Sequence, residues 1–322
     1  MILQTYAEEV TGRERPLAAD VDLDVVGDYR GYAEQVARWA ELERRGLRAR
    51  VVGESVGGRP LWALEAGPAD APRVSALLAG IHALEWIGVE TGAALLERLA
   101  AEPPRDRRVI AFPLVNVDGY RRAEADLRAG RRRFVRTNAR GVDLNRNWPV
   151  HHRARPPSLP ARLLGASGGG PAPLSEPEVR AIAGVLEEAA AGGAAVDVAL
   201  SLHSIGEKVL MPWGGRWRAP DDAGRLRRAA ARVRERLGGG YKALQTSHWV
   251  PGALVRGMEL DFLHARFGAV ALLVELSWGG ASPGRPGSLI HPFRWYNPAH
   301  PGPIAAGAAA ALEPFVRGCY ID

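Results

Sequence analysis

Val74-Ser75-Ala76-Leu77-Leu78-Ala79-Gly80-Ile81-His82-Ala83-Leu84-Glu85-Trp86 is the stretch on which the reading of this chain turns. Val74–Ala79 is a short apolar run closed by a glycine, the pattern of a strand buried on both faces of a sheet. Helical periodicity follows over Val89–Ala101, so the loop between strand and helix carries His82 and Glu85. A buried strand that feeds a helix is the repeating unit of an α/β domain. Open sheets of that class place their ligand sites beyond the carboxyl ends of the strands.

The same signature recurs outward from this stretch. Val109–Val115, Val196–Leu202 and Ala269–Leu276 read as further buried strands, separated by helical or irregular segments. Tyr29–Leu47 has the periodicity of an amphipathic helix, and Val51–Leu64 reads as two strands about a Gly57-Gly58 turn. Ser175-Glu176-Pro177-Glu178 has capping-box spacing and predicts a helix to about Ala190, ended near Gly192-Gly193. Pro156–Pro173, with Gly168-Gly169-Gly170 in it, predicts a long surface loop. No internal repeat or second-domain boundary is visible, so the expectation is one α/β domain over residues 1–322, with residues 1–20 as a loosely ordered N-terminal extension.

Bulk properties agree with a folded enzyme. The chain has 322 residues, of which 47% are hydrophobic and 24% charged, far from the composition of disorder. Its net charge of +6 comes mostly from arginines spread through helical stretches such as Ala40–Arg50 and Arg225–Leu237, which argues against nucleic acid as a partner. Cys319 is the single cysteine, so no intrachain disulfide forms. The first residues have no apolar core of a secretory signal, and no apolar run approaches the ~20 residues of a membrane helix. A cytoplasmic protein without membrane attachment is expected, and its oligomeric state is open.

His82 and Glu85 stand three apart beyond the carboxyl end of a strand, where both side chains can converge on one ion. The best third ligand is His203, at the end of the strand Val196–Leu202. Two histidines and one glutamate leave a fourth position open, which is the arrangement of catalytic rather than structural zinc. A His-x-x-Glu pair alone arises often by chance, and a histidine near a strand end is commonly just hydrogen-bonded.

Five blocks in order lift the pair above chance: Gly80-Ile81-His82-Ala83-Leu84-Glu85-Trp86, Asn116-Val117-Asp118-Gly119-Tyr120, Gly141-Val142-Asp143-Leu144-Asn145-Arg146-Asn147, Leu202-His203-Ser204 and Val274-Glu275-Leu276. Together they resemble the zinc carboxypeptidase family of the carboxypeptidase A type, from about Tyr29 to the C-terminus. The resemblance implies a single α/β domain with a mixed, twisted, mostly eight-stranded sheet between helices, and one Zn²⁺ held by His82, Glu85 and His203. It implies that Glu275 is the general base and that Arg136 stabilises the tetrahedral oxyanion. Asn145 and Arg146 match the pair that grips a substrate's terminal carboxylate, and Asp143 the carboxylate that orients a zinc-bound histidine. With no room for a propeptide, the enzyme would be made active.

The chain departs from the family pattern in places. Ile205 stands where the family usually has tyrosine after the His-Ser pair. The place of the family's mobile tyrosine falls near Ala253, with Trp249 the nearest aromatic upstream. The same count puts Leu260 at the base of the pocket for the terminal side chain, which favours apolar or aromatic termini, whereas a slip of one residue would put Glu259 or Asp261 there. His151, His152, His248, His264, His291 and His300 read as loop, surface or hydrogen-bonded residues. Two enzymatic readings remain: a metallocarboxypeptidase acting on peptides, and an amidase or deacylase acting on a small non-peptide or cell-wall-derived amide. A catalytically silent binding or nucleic-acid module built on the same fold is the third, from another class.

Overall fold

Strands with no polar face need cover on both sides, and the sheet of this chain is built to receive it. A computed structural model, which describes residues 2–154, 167–249 and 252–321, contains eight strands in one sheet. They are β1 (Arg48–Glu54), β2 (Pro60–Ala66), β3 (Arg73–Ala79), β4 (Arg108–Phe112), β5 (Ala195–His203), β6 (Lys208–Met211), β7 (Lys242–Gln245) and β8 (Val270–Glu275), in the order β1-β2-β4-β3-β5-β8-β6-β7. β4, β3, β5 and β8 run parallel at the centre, while β2 and β6 flank them antiparallel. This is the mixed eight-stranded sheet expected. Only β6 and β7 escaped the sequence reading, because four residues each carry too little periodicity to register.

Side chains alternate across the sheet and divide the core in two. Leu77, Ala79, Leu200, Leu202, Leu272 and Val274 join a cluster with Trp39, Trp86, Leu312 and Phe315, while Ala76, Leu78, Ala199, Ala271 and Leu273 join one with Trp148, Ile182, Leu186 and Leu263. Ser75 is the buried polar residue in β3, and it is satisfied: its hydroxyl donates to the Val316 carbonyl at 2.6 Å and accepts from Arg107 at 3.1 Å. The register sets Ala79 beside Leu202 and His203 beside Glu275, so three central strands end level at one edge. Gly80 turns the chain out of β3 at φ +65°, where a Cβ would lie 2.6 Å from Leu114 Cδ1. The glycine is therefore required by both conformation and space.

Two expectations need correction. Residues 2–11 are not loose: Ile2–Thr11 is a helix packed on Tyr32–Arg44, with Leu3 and Leu17 fully buried. Leu3, Ala7 and Val10 lie at helical spacing, and burying a leucine is worth roughly 1.5–3 kcal/mol, enough to hold such a segment down. The capping box at Ser175 does not form. The helix Pro177–Ala191 has Glu176 as its N-cap, and the Ser175 hydroxyl instead donates to the Glu176 carboxylate and accepts from Asn147 Nδ2, both at 2.8 Å. Most of the expected Pro156–Pro173 loop, residues 156–166, lies outside the described residues. No described helix is long and apolar enough to cross a membrane.

Glu65 locks the antiparallel edge. Buried on β2, it accepts from Arg108 at 2.6 and 2.9 Å, Arg50 at 3.1 Å and Arg48 at 3.4 Å. Burial alone would raise its carboxyl pKa, but the three guanidinium groups win and hold it below the usual value of 4.5. A depressed carboxylate contributes stability above its unfolded pKa and loses that contribution as the pH falls. Glu65→Gln should therefore cost about 1–3 kcal/mol at neutral pH. Its melting temperature should fall less steeply than wild type on acidification below about pH 5, as calorimetry across pH would show.

Candidate metal centre and active site

The loop after β3 presents His82 and Glu85, and the end of β5 presents His203. All three are buried, and one ligand atom of each lies within 4.8 Å of the others. Glu85 lies at the centre of the contacts. Its two oxygens lie 2.8 Å from His82 Nδ1 and 2.9 Å from His203 Nδ1, and the two Nδ1 atoms are 3.1 Å apart. Glu85 also accepts from the Ser204 amide at 3.2 Å.

The outer nitrogens are occupied separately. His82 Nε2 lies 3.2 Å from Asp143 Oδ1, while His203 Nε2 lies 3.1 Å from both Ser201 Oγ and Glu259 Oε1. A carboxylate on Nε2 places the ring proton there and leaves the Nδ1 lone pair turned inward. Burial opposes charge on Glu85 and His203 alike. Even so, the two histidines pull the Glu85 carboxyl well below its ordinary value, while Glu85 and Glu259 push His203 up to about 10. The cluster demands positive charge between its carboxylates, and a divalent cation meets that demand while displacing protons. Two imidazole nitrogens and a carboxylate, closed in but short of four ligands, fit one zinc ion with a position to spare.

The surrounding groups are held by short tethers. Asp143 accepts from Arg136 Nε at 2.8 Å and from the Asn145 amide at 2.9 Å, and Arg136 Nη1 stands 3.6 Å from Glu85 Oε1. Asn116 caps the helix Val117–Arg128 through the Gly119 amide and donates to the carbonyls of Ile81 and Arg136, so it ties the ligand loop to the arginine. Burial of the Arg146 guanidinium lowers its pKa, and its side chain donates only to the Asn145 carbonyl, at 2.6 Å, with no ion pair among the described residues. Gly257, at φ +69°, passes so close that a Cβ there would sit 2.3 Å from the Arg146 carbonyl oxygen.

Glu275 ends β8 beside His203. Burial, reinforced by the Glu85 charge, raises its carboxyl to about 8, and Oε2 has no hydrogen-bond partner among the described residues. A carboxylate in that state can both accept and release a proton near neutrality.

Leu260 was expected at the base of the substrate pocket. It is buried in the apolar cluster with Ala271 and Leu273, whereas its helix neighbour Glu259 faces His203. Consecutive residues on a helix point about 100° apart, so a one-residue slip exchanges a core side chain for a site side chain. Asp261 is used differently again: it accepts from the amides of Gly214 and Gly215 and from His151. Trp249 packs against the same apolar cluster as Leu260. His152, His248, His264 and His300 contact a carbonyl, a tryptophan, a carbonyl and an aspartate in turn, as structural residues would.

Tyr296 and Asn297 were missed by the sequence reading. Asn297 is buried, accepts from the Ile87 amide at 3.1 Å and donates to the Leu84 carbonyl at 2.7 Å, fastening the chain's last third to the metal loop. Tyr296, beside it, packs on Phe134 with ring centroids 5.7 Å apart, and its hydroxyl is within electrostatic reach of Glu85, Arg136 and Glu275. No local pattern marks either residue, because each is defined by a contact more than a hundred residues away in sequence.

A buried His-Glu-His cluster at the carboxyl edge of a parallel sheet, with the Glu275 carboxylate beside it, is a candidate metal centre with an open coordination position. Residues 38–282 match the family model described as zinc carboxypeptidase, and the chain belongs to that family. It is 28% identical over 208 residues to carboxypeptidase A2 of Mus musculus, covering 61% of this chain and 48% of the relative. The chain thus spans about half the length of that curated relative. Among solved structures, carboxypeptidase A from Helicoverpa armigera superposes with TM-score 0.70 at 16% identity, covering 100% of this chain and 81% of that one. Murein-tripeptide amidase MpaA from Escherichia coli O157 superposes with TM-score 0.53 at 20% identity, covering 85% and 95%.

Glu259→Gln and Asp143→Asn should each lower zinc affinity by about 10–100-fold, measured by competition with a chromogenic chelator. Leu260→Ala should cost about 2–5 kcal/mol of stability and leave zinc affinity unchanged. An unaltered affinity in Glu259→Gln would mean that Ser201 alone orients His203.

Proposed function

We propose that the protein is a zinc metallocarboxypeptidase that removes the C-terminal residue of peptides. The observation that carries this reading is Arg146, a half-buried guanidinium without an ion pair among the described residues, in the electrostatic field of Asp143, Arg136, Glu259 and Glu85. A cation so placed is completed by a substrate carboxylate, which its planar fork can meet with two parallel hydrogen bonds. Asn145, whose carbonyl already braces that side chain, would share the grip.

Arg136 would hold the oxygen of the scissile carbonyl as it gains negative charge. Glu275 would take a proton from the attacking water at its free Oε2 and deliver it to the departing amine. When bound, zinc supplies a Lewis acid that polarises the carbonyl and acidifies water. Tyr296 is the aromatic hydroxyl that could contact substrate in place of the family's mobile tyrosine, since its hydroxyl lies within electrostatic reach of Glu85, Arg136 and Glu275, while the half-buried Trp249 packs against the apolar cluster. A single cysteine, Cys319, exposed and free, supports a reducing, cytoplasmic setting.

A second reading is an amidase or deacylase of a small non-peptide or cell-wall-derived amide, with the same zinc and base. The fold it shares with a murein-tripeptide amidase supports it. The two readings part at the carboxylate grip. Arg146→Ala should raise KM at least tenfold for peptides with a free C-terminus while sparing amidated ones, in steady-state kinetics over paired substrates; equal effects on both would favour the amidase. Glu275→Gln should lower kcat by about 10²–10⁴ while zinc content stays at one per chain by mass spectrometry.

A further inference from the structure

The strand that delivers Glu275 leads into a segment that walls a separate cleft of about 530 Å³, lined by Asp22, Asp24, Arg132, Arg285, His291 and Arg294 among others. Arg294 is 1% exposed, and its Nε and Nη1 are buried without a hydrogen-bond partner. His291, 7% exposed, likewise has an unpartnered Nδ1. Burial and then the neighbouring Arg132 and Arg294 hold His291 below its ordinary pKa, so it enters as a neutral donor or acceptor. Asp22 and Asp24 are exposed at this cleft. Asp22 caps its own short turn through the Asp24 amide, and neither aspartate forms an ion pair with Arg132, Arg285 or Arg294, although Asp24 offsets part of the Arg294 charge from beyond ion-pair distance while Arg285 adds to it.

A buried guanidinium costs several kcal/mol unless it is paired, so a native fold that retains one leaves a place for its counter-charge. Water can satisfy N–H groups but supplies no charge. The two other arginines are exposed and flank the same space, and guanidinium forks favour planar or tetrahedral oxyanions.

We propose that this cleft is an oxyanion-binding site, taking a phosphate or carboxylate group on Arg294 and His291 with Arg132 and Arg285 at its rim. The oxyanion has two possible sources, a free anion or an acidic side chain of a bound peptide. The second has a structural basis: Arg132 lies four residues before Arg136, and Arg294 two before Tyr296, so the cleft is built from the segments that border the catalytic groups.

The test is calorimetric titration of zinc-loaded protein with inorganic phosphate at constant ionic strength. It is done in an Arg146→Ala background, so that the half-buried guanidinium at the active edge does not contribute. Binding does not require turnover, so this result stands or falls apart from the peptidase reading. Saturable binding of one phosphate per chain, weakened at least tenfold by Arg132→Ala with Arg285→Ala, is expected; both are exposed positions whose replacement spares the fold. No saturable binding, or equal affinity in the double variant, overturns the proposal. A second arm compares peptides carrying Asp or Glu upstream of the cleaved bond with neutral ones, in otherwise wild-type protein. A tenfold fall in the acidic-to-neutral ratio of kcat/KM in the double variant identifies the peptide as the source, and an unchanged ratio beside weakened phosphate binding identifies a free anion.

Discussion

Everything at the active edge depends on two imidazoles being held by their outer nitrogens so that their inner lone pairs meet. Asp143 on His82, and Glu259 with Ser201 on His203, set that tautomer, and Glu85 closes the third side. Burying three carboxylates so close together is costly in the absence of positive charge. Arg136 offsets part of that cost through Asp143, and the pushed-up His203 shows the cluster taking on protons to offset more. A divalent cation is the cheapest answer to the same imbalance, which is why electrostatics and ligand chemistry agree on what belongs there.

The sheet makes that arrangement possible by register. His203 and Glu275 are partners across β5 and β8, so ligand and base are set by backbone hydrogen bonds rather than by flexible loops. Ser201 shares a face with His203 because side chains alternate along the strand, and it reaches the same ring. The Gly80 turn then brings the third element, the His82–Glu85 loop, against the strand ends. Asn116 and Asn297 fasten that loop from two remote segments. Strand register and these side-chain tethers thus fix the positions of the ligands, which suits a centre that must meet zinc within a few tenths of an ångström.

The surplus of unpaired arginine is the other unusual feature. Most of the chain's guanidinium groups are paired, as Glu65 with three arginines and Glu90 with two illustrate. Arg146 and Arg294 are described arginines without an ion pair that are not exposed, the first half-buried and the second buried. Other arginines without an ion pair, such as Arg132 and Arg285, are exposed to water, so a bound anion would matter most to these two less accessible guanidinium groups.

Much was legible from sequence: the α/β class, the central strands, and the trio His82, Glu85 and His203, because buried parallel strands are written as continuous apolar runs and ligands follow them directly in the chain. Resemblance added the expected roles of Glu275, Arg136, Asp143, Asn145 and Arg146, which composition and spacing alone do not mark. What escaped depends on distance or on angle. Whether Glu259 or Leu260 faces the site is a matter of 100° of helix rotation, which counting along the chain cannot resolve to one residue. Tyr296 and Asn297 acquire meaning only where the chain's last third returns to the metal loop, and the Arg294 cleft only where segments from both ends of the chain meet. Sequence determined which chemistry the protein carries, since that resides in residue types and short spacings; tertiary structure alone decided which side chains share the space around it, since burial and charge pairing are set by contacts between remote segments.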